Sequence, residues 1–79
     1  MVEPLQIQAD WDDDAKVWVA ISDDVPGLAT EAETLEHLIE KLKIMVPELL
    51  DLNGYPGDDE TTVPFEVVAK RASAAPRHI

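Results

Sequence analysis

Cysteine is absent from this sequence of 79 residues. That excludes disulfide staples and thiolate metal sites, and it suits a reducing cytoplasm, where we expect the protein to work. Long apolar runs are missing as well. None approaches the roughly 18 residues that a membrane span needs, and the N-terminus lacks a basic-then-apolar leader, so no membrane association is expected. Glycine is scarce: Gly27, Gly54 and Gly57 all sit in turn contexts, which leaves no glycine-rich loop to cradle a phosphate. His37 and His78 are too far apart, and too short of companion ligands, to make a zinc set. Ser22 has neither a Gly-x-Ser-x-Gly context nor a histidine beside it. These shortages point away from an enzyme and away from any cofactor.

Basic residues are the next scarcity. Six Lys and Arg stand against 17 Asp and Glu, for a formal net charge of −11. The imbalance is local. Lys70, Arg71 and Arg77 give residues 70–79 a charge of +3, so residues 1–69, with three lysines and all 17 acids, carry −14. Such a field repels phosphate backbones and anionic lipid heads and attracts cationic surfaces, so direct nucleic-acid binding by the globular part is not expected. A core of this size supplies only a few kcal/mol of net stability, so association into a homodimer is a natural supplement.

What is present reads as a small α+β domain. "PLQIQAD" alternates Leu5, Ile7 and Ala9 with glutamines, the period of a half-buried strand, and "KVWVAIS" repeats it. In the second strand Val17, Val19 and Ile21 are assigned to the inward face and Trp18 and Ala20 to the outward one. "WDDDA" (Trp11–Ala15) joins the two as a hairpin. "DDVPG" turns the chain, with Pro26 fixing φ and Gly27 free to take a positive φ. "LATEA" is a third short strand, and Thr34 is a good N-cap for a helix. Apolar residues then recur at Leu35, Leu38, Ile39, Leu42, Met45, Val46, Leu49, Leu50 and Leu52, one helical stripe that stops at Asn53-Gly54. Pro47 removes an amide donor inside that stripe, which predicts a kink or break near Ile44–Val46. "YPGDDETT" is a loop. "TVPFEVVAK" is a last strand, with Val63, Phe65, Val67 and Ala69 inward and Pro64 placing it at a sheet edge. The order is β-β-β-α-β, with the last strand parallel to the first and one helix covering one face. "SAAPRHI" shows no pattern, so residues 72–79 are expected to be a flexible tail behind a domain at 1–71.

The hairpin ending in Trp18 and Ala20, the corner Asp24-x-Pro26-Gly27, Thr30, and "ETLEHLIEKL" at the helix start together resemble the HicB-type antitoxins. They resemble more closely a group of short HicB-like bacterial domains of unknown function. The resemblance covers roughly residues 5–71. It implies a partial ribonuclease-H-like fold, a four-stranded mixed sheet of order 3-2-1-4, and no nuclease activity. It also implies a partner, a small basic RNA-cleaving toxin of the HicA type, which the domain would bind and occlude. Full antitoxins of this type continue into a DNA-binding segment that this sequence does not show, so operator binding is not expected.

The candidate partner-binding residues are Asp12, Asp13, Asp14, Trp18, Asp23, Asp24 and Glu31. Trp18, on a face turned away from the helix, would serve as an aromatic anchor in an acidic surround. The acidic runs Asp12–Asp14 and Asp58–Glu60 could attract a hard cation. They lack the alternation and glycine of a calcium loop, however, and are read as solvated turns, with no metal site assigned. Two further readings are kept. One is a stand-alone homo-oligomeric structural domain without a toxin partner. The other is a residual nuclease holding Mg²⁺ with Asp10, Asp12 and Asp23 or Asp24.

Overall fold

The structure, a computed structural model, describes residues 3–54 and 62–77. Five elements follow one another: β1 (Leu5–Asp12), β2 (Val17–Ile21), β3 (Ala29–Ala32), α1 (Leu35–Leu52) and β4 (Phe65–Lys70). The sheet order is β3-β2-β1-β4, antiparallel between β1 and β2 and between β2 and β3, and parallel between β1 and β4. This is the expected mixed four-stranded sheet with one helix. β4 lies at the sheet edge, as Pro64 requires, and Pro64 itself precedes the strand, its carbonyl accepting from the Leu5 amide at 3.0 Å. No helix among the described residues is long and apolar enough to cross a membrane.

The hairpin is closed by its own side chains. β1 runs on through Trp11 and Asp12, so the connection is only Asp13–Lys16 and not Trp11–Ala15. The Lys16 amide donates to the Asp12 carbonyl at 2.7 Å, and Asp12 Oδ1 accepts from the amides of Asp14 and Ala15 at 3.0 and 3.1 Å. Lys16 takes a φ of 60°, the left-handed conformation that lets the chain re-enter β2.

That loop decides which face of β2 is buried. Asp12 lies opposite Val17, Trp11 opposite Trp18 and Ala9 opposite Ala20. Residues directly opposite share a face, so Trp18 and Ala20 join Leu5, Ile7 and Ala9 beneath the helix. Val17, Val19 and Ile21 turn to the other side. The inward assignment of those three is corrected: Trp18 and Ala20 are buried, Val17 and Val19 half-buried, and Ile21 exposed. Trp18 packs edge-on against Trp11, ring centroids 5.4 Å apart.

The helix forms as its stripe predicts. Thr34 Oγ1 accepts from the His37 amide at 3.1 Å, and Glu36 sits in the first turn near the positive end of the helix dipole. Leu38, Leu42, Val46 and Leu50 are the buried positions, one every fourth residue, and close the core over the sheet. Burying each is worth about 1.5–3 kcal/mol, so this stripe is the main source of cohesion. Of the kink or break expected near Ile44–Val46, the break does not occur. The helix is continuous from Leu35 to Leu52, and Pro47 sits on its exposed side, where surrounding packing outweighs one lost backbone bond.

The Pro-Gly corner is a structural clamp. Leu28 N–H donates to the Val25 carbonyl at 3.1 Å, with Pro26 and Gly27 (φ 84°) between them, which is a type II turn. Before it, Ser22 Oγ–H donates to the Gln6 carbonyl at 2.5 Å and accepts from the amides of Asp24 and Val25. Asp24 Oδ2 accepts from the Gln6 amide at 2.8 Å. Both backbone groups of Gln6 are thus satisfied by side chains, just where the β1–β2 ladder ends at the pair Gln8–Ile21. Asn53 Nδ2 donates to the Leu49 and Pro26 carbonyls at 2.7 and 3.4 Å, tying the end of the helix to the same corner.

Candidate protein-docking face

The helix covers one face of the sheet and leaves the other open. Along β2 the open face carries Val17, Val19 and Ile21 in a row about 13 Å long, four steps of a strand. Val68 of β4 adds to it, opposite Gln8. Ile21 and Val68 are 46% and 43% exposed, large values for side chains whose strands alternate so regularly. Acids border the row. Val19 lies between Asp10 on β1 and Glu31 on β3, Val17 lies opposite Asp12, and Glu66 shares the face through β4. Lys70, opposite Asp10, brings a positive charge to this face. An apolar strip rimmed by carboxylates is the arrangement of a protein-docking surface for a cationic partner.

The residues singled out in the sequence divide into three groups. Glu31 belongs to the open face, and Asp12 stands at its end, although its carboxylate is committed to the hairpin turn. Asp13 and Asp14 lie in that turn. Asp13 Oδ1 accepts from Lys16 Nζ at 3.0 Å and from the Trp11 indole at 3.2 Å, and these two hydrogen bonds hold its carboxyl below the ordinary value. Asp23 and Asp24 lie at the opposite end of β2, in the corner, where Asp24 is spent on the Gln6 amide.

Trp18 is not a surface anchor. It is 9% exposed and lies beneath the helix, because the loop of Asp13–Lys16 turns it inward. Sequence reasoning leaves Val68 on the outward side of its strand, where it is found, but missed the β2 residues that face outward, Val17, Val19 and Ile21, together with Asp10 and Glu66. The signal that could have found them is the parity of the hairpin loop.

The proposed Mg²⁺ set does not assemble. Asp24 is bound beside Gln6, while Asp10 lies four residues further along β1, about 13 Å away along the strand. Among the described residues no group of three or more His, Asp or Glu side chains could hold a metal ion. The run Asp58–Glu60 and His78 lie outside the described residues. A shallow groove of about 340 Å³ runs between β3 and the start of α1, lined by Val17, Glu31, Ala32, Glu33, His37 and Lys41. Lys41 Nζ is already engaged there by the Glu31 carbonyl at 2.6 Å.

Residues 4–78 match the family described as a domain of unknown function, DUF1902. The chain belongs to that family. A solved structure with the same fold is the crystal structure of a hypothetical protein from the extremely thermophilic bacterium Thermus thermophilus. It is 49% identical, with a TM-score of 0.71, and the match covers 95% of this chain and 100% of the other. No curated protein matches. The structural match shows the same fold in a thermophilic bacterium's protein, and neither match assigns an activity.

Proposed function

We propose that this DUF1902 domain is a HicB-like interaction module, an antitoxin or a derivative of one, that binds and occludes a small basic RNA-cleaving protein in the cytoplasm. The observation that carries the proposal is the open sheet face, in which half-buried Val17 and Val19 and exposed Ile21 and Val68 lie among Asp10, Asp12, Glu31 and Glu66. The −14 charge of residues 1–69 supports it, because opposite fields accelerate encounter and orient the partners. Affinity would come from the apolar row once it is desolvated, with the carboxylates supplying rate and register. The mode of action is occlusion, the acidic face covering the basic surface that the toxin turns to RNA.

The test is co-purification with the small basic protein encoded beside this gene, followed by size-exclusion chromatography. A 1:1 or higher complex is expected for the native chain, and none for Val19→Lys or Glu31→Lys variants that keep the native circular dichroism. Absence of a complex with the native chain, or a complex indifferent to both substitutions, overturns the proposal.

A further inference from the structure

The C-terminal arm is the basic counterpart of the open face. Lys70, Arg71 and Arg77 give residues 70–79 a charge of +3 against −14 for the rest. Residues 71–77 carry no regular secondary structure and are exposed throughout. Ala72, Ser73, Ala74 and Ala75 are all small, so nothing prevents this stretch of backbone from lying close to a row of valines. Six extended residues reach about 20 Å, enough to span the Val17–Ile21 row of about 13 Å.

The arm is badly placed to cover its own face. It leaves β4 beside Asp10, and Arg71 is stacked over the Trp11 ring at 4.0 Å, on the helix side of the sheet. Folding back onto the open side would break that cation–π contact and reverse the chain within Ala72–Ala75, which contains no glycine. A second copy offers the same face without either constraint.

We infer that the arm of one copy, residues 72–77, docks across Val17, Val19 and Ile21 of a second copy, whose own arm returns the contact. The result is a two-fold dimer with two equivalent arm-to-face contacts. Charge complementarity selects the occupant: residues 70–79 carry three cations and no acid, and the docking segment contributes Arg77, while Lys70 and Arg71 stay with their own sheet. The inference stands without the toxin reading and is tested on the purified chain alone.

The experiment is sedimentation equilibrium of the full chain at low and high salt, with Arg77→Glu and Glu31→Lys variants measured separately and mixed. The native chain is expected to be a dimer that weakens as salt rises, and each single variant to dimerise at least tenfold more weakly. An equimolar mixture is expected to recover dimer, because the reversed arm then meets the reversed face while the native arm meets the native face. Three results would overturn the inference. They are a native chain that stays monomeric up to about 1 mM, a dimer insensitive to both variants (two sheets meeting without arms), and a mixture no tighter than its components.

Discussion

Replacing Trp18 by alanine tests the reassignment of the two sheet faces. Trp18 is 9% exposed, packs under α1 and meets Trp11 edge-on at 5.4 Å. Truncating a buried tryptophan to alanine costs about 3–5 kcal/mol, the spread depending on how far the site collapses. The aromatic pair accounts for about 0.5–1.5 kcal/mol of such a loss. At about 0.05–0.15 kcal/mol per residue, a domain of this length has about 4–12 kcal/mol in total. Trp18→Ala therefore removes a large fraction of the stability, and each kilocalorie lowers Tm by about 4–8 °C in a domain this small. The control is the neighbouring position. Val19 points to the open face, so Val19→Ala should cost no more than about 1 kcal/mol, the scale of strand propensity. Urea unfolding followed by far-ultraviolet circular dichroism measures both without relying on tryptophan fluorescence. If Val19→Ala costs more than Trp18→Ala, the faces are the other way round and the docking surface described above does not exist.

Ser22→Ala and Asp24→Ala should each destabilise by about 1–2 kcal/mol, since each strips a partner from the backbone of Gln6. The double variant should fall short of their sum, because both act on one clamp, and additive losses in chemical denaturation would refute the clamp. The Asp13 carboxyl should titrate below 3.8 in the folded chain by carbon-detected NMR, and Lys16→Met should raise it. Because the folded value is depressed, the associated stabilisation is present above the unfolded value and is lost as pH falls through the folded one. An Asp13 titration unchanged by Lys16→Met would show that their ion pair does not persist in solution. Pro47→Ala should stabilise the domain by about 1–3 kcal/mol, as an exposed position in a continuous helix regains an amide donor and a better helix former. A loss of stability instead would mean that the proline shapes the helix to fit the sheet.

Much of the fold was legible because its signals are local. Thr34 caps the helix, Asn53 and Gly54 end it, Pro26 and Gly27 make the turn, and the alternation in β1 marks its buried side correctly. The misreadings came from features whose outcome depends on something beyond the local pattern. Pro47 carries a real local penalty, but the buried stripe of Leu38, Leu42, Val46 and Leu50 holds the helix together across it. The acids were visible as charges, while their duties were not. Asp12, Asp13 and Asp24 turn out to close a hairpin loop and a corner. A carboxylate already accepting from its own chain, from backbone amides at Asp12 and Asp24 and from the Lys16 and Trp11 side chains at Asp13, is a poorer lure for a partner than Glu31, Asp10 or Glu66.

β2 is the instructive case, because both of its faces are apolar and hydropathy alone favours the wrong one. Three branched residues, Val17, Val19 and Ile21, outnumber Trp18 and Ala20, so a count assigns them to the core. What settles the matter is arithmetic in the connection. With four residues, Asp13–Lys16, between Asp12 and Val17, odd positions of β1 lie opposite even positions of β2, and Leu5, Ile7 and Ala9 take Trp18 and Ala20 with them. One residue more or fewer in that loop would invert the strand and bury the valines. The left-handed Lys16 and the Asp12 side chain, which accepts from two loop amides, keep the loop at four. Thus the acidic turn that resembled a binding site acts at a distance, by deciding which row of side chains faces outward.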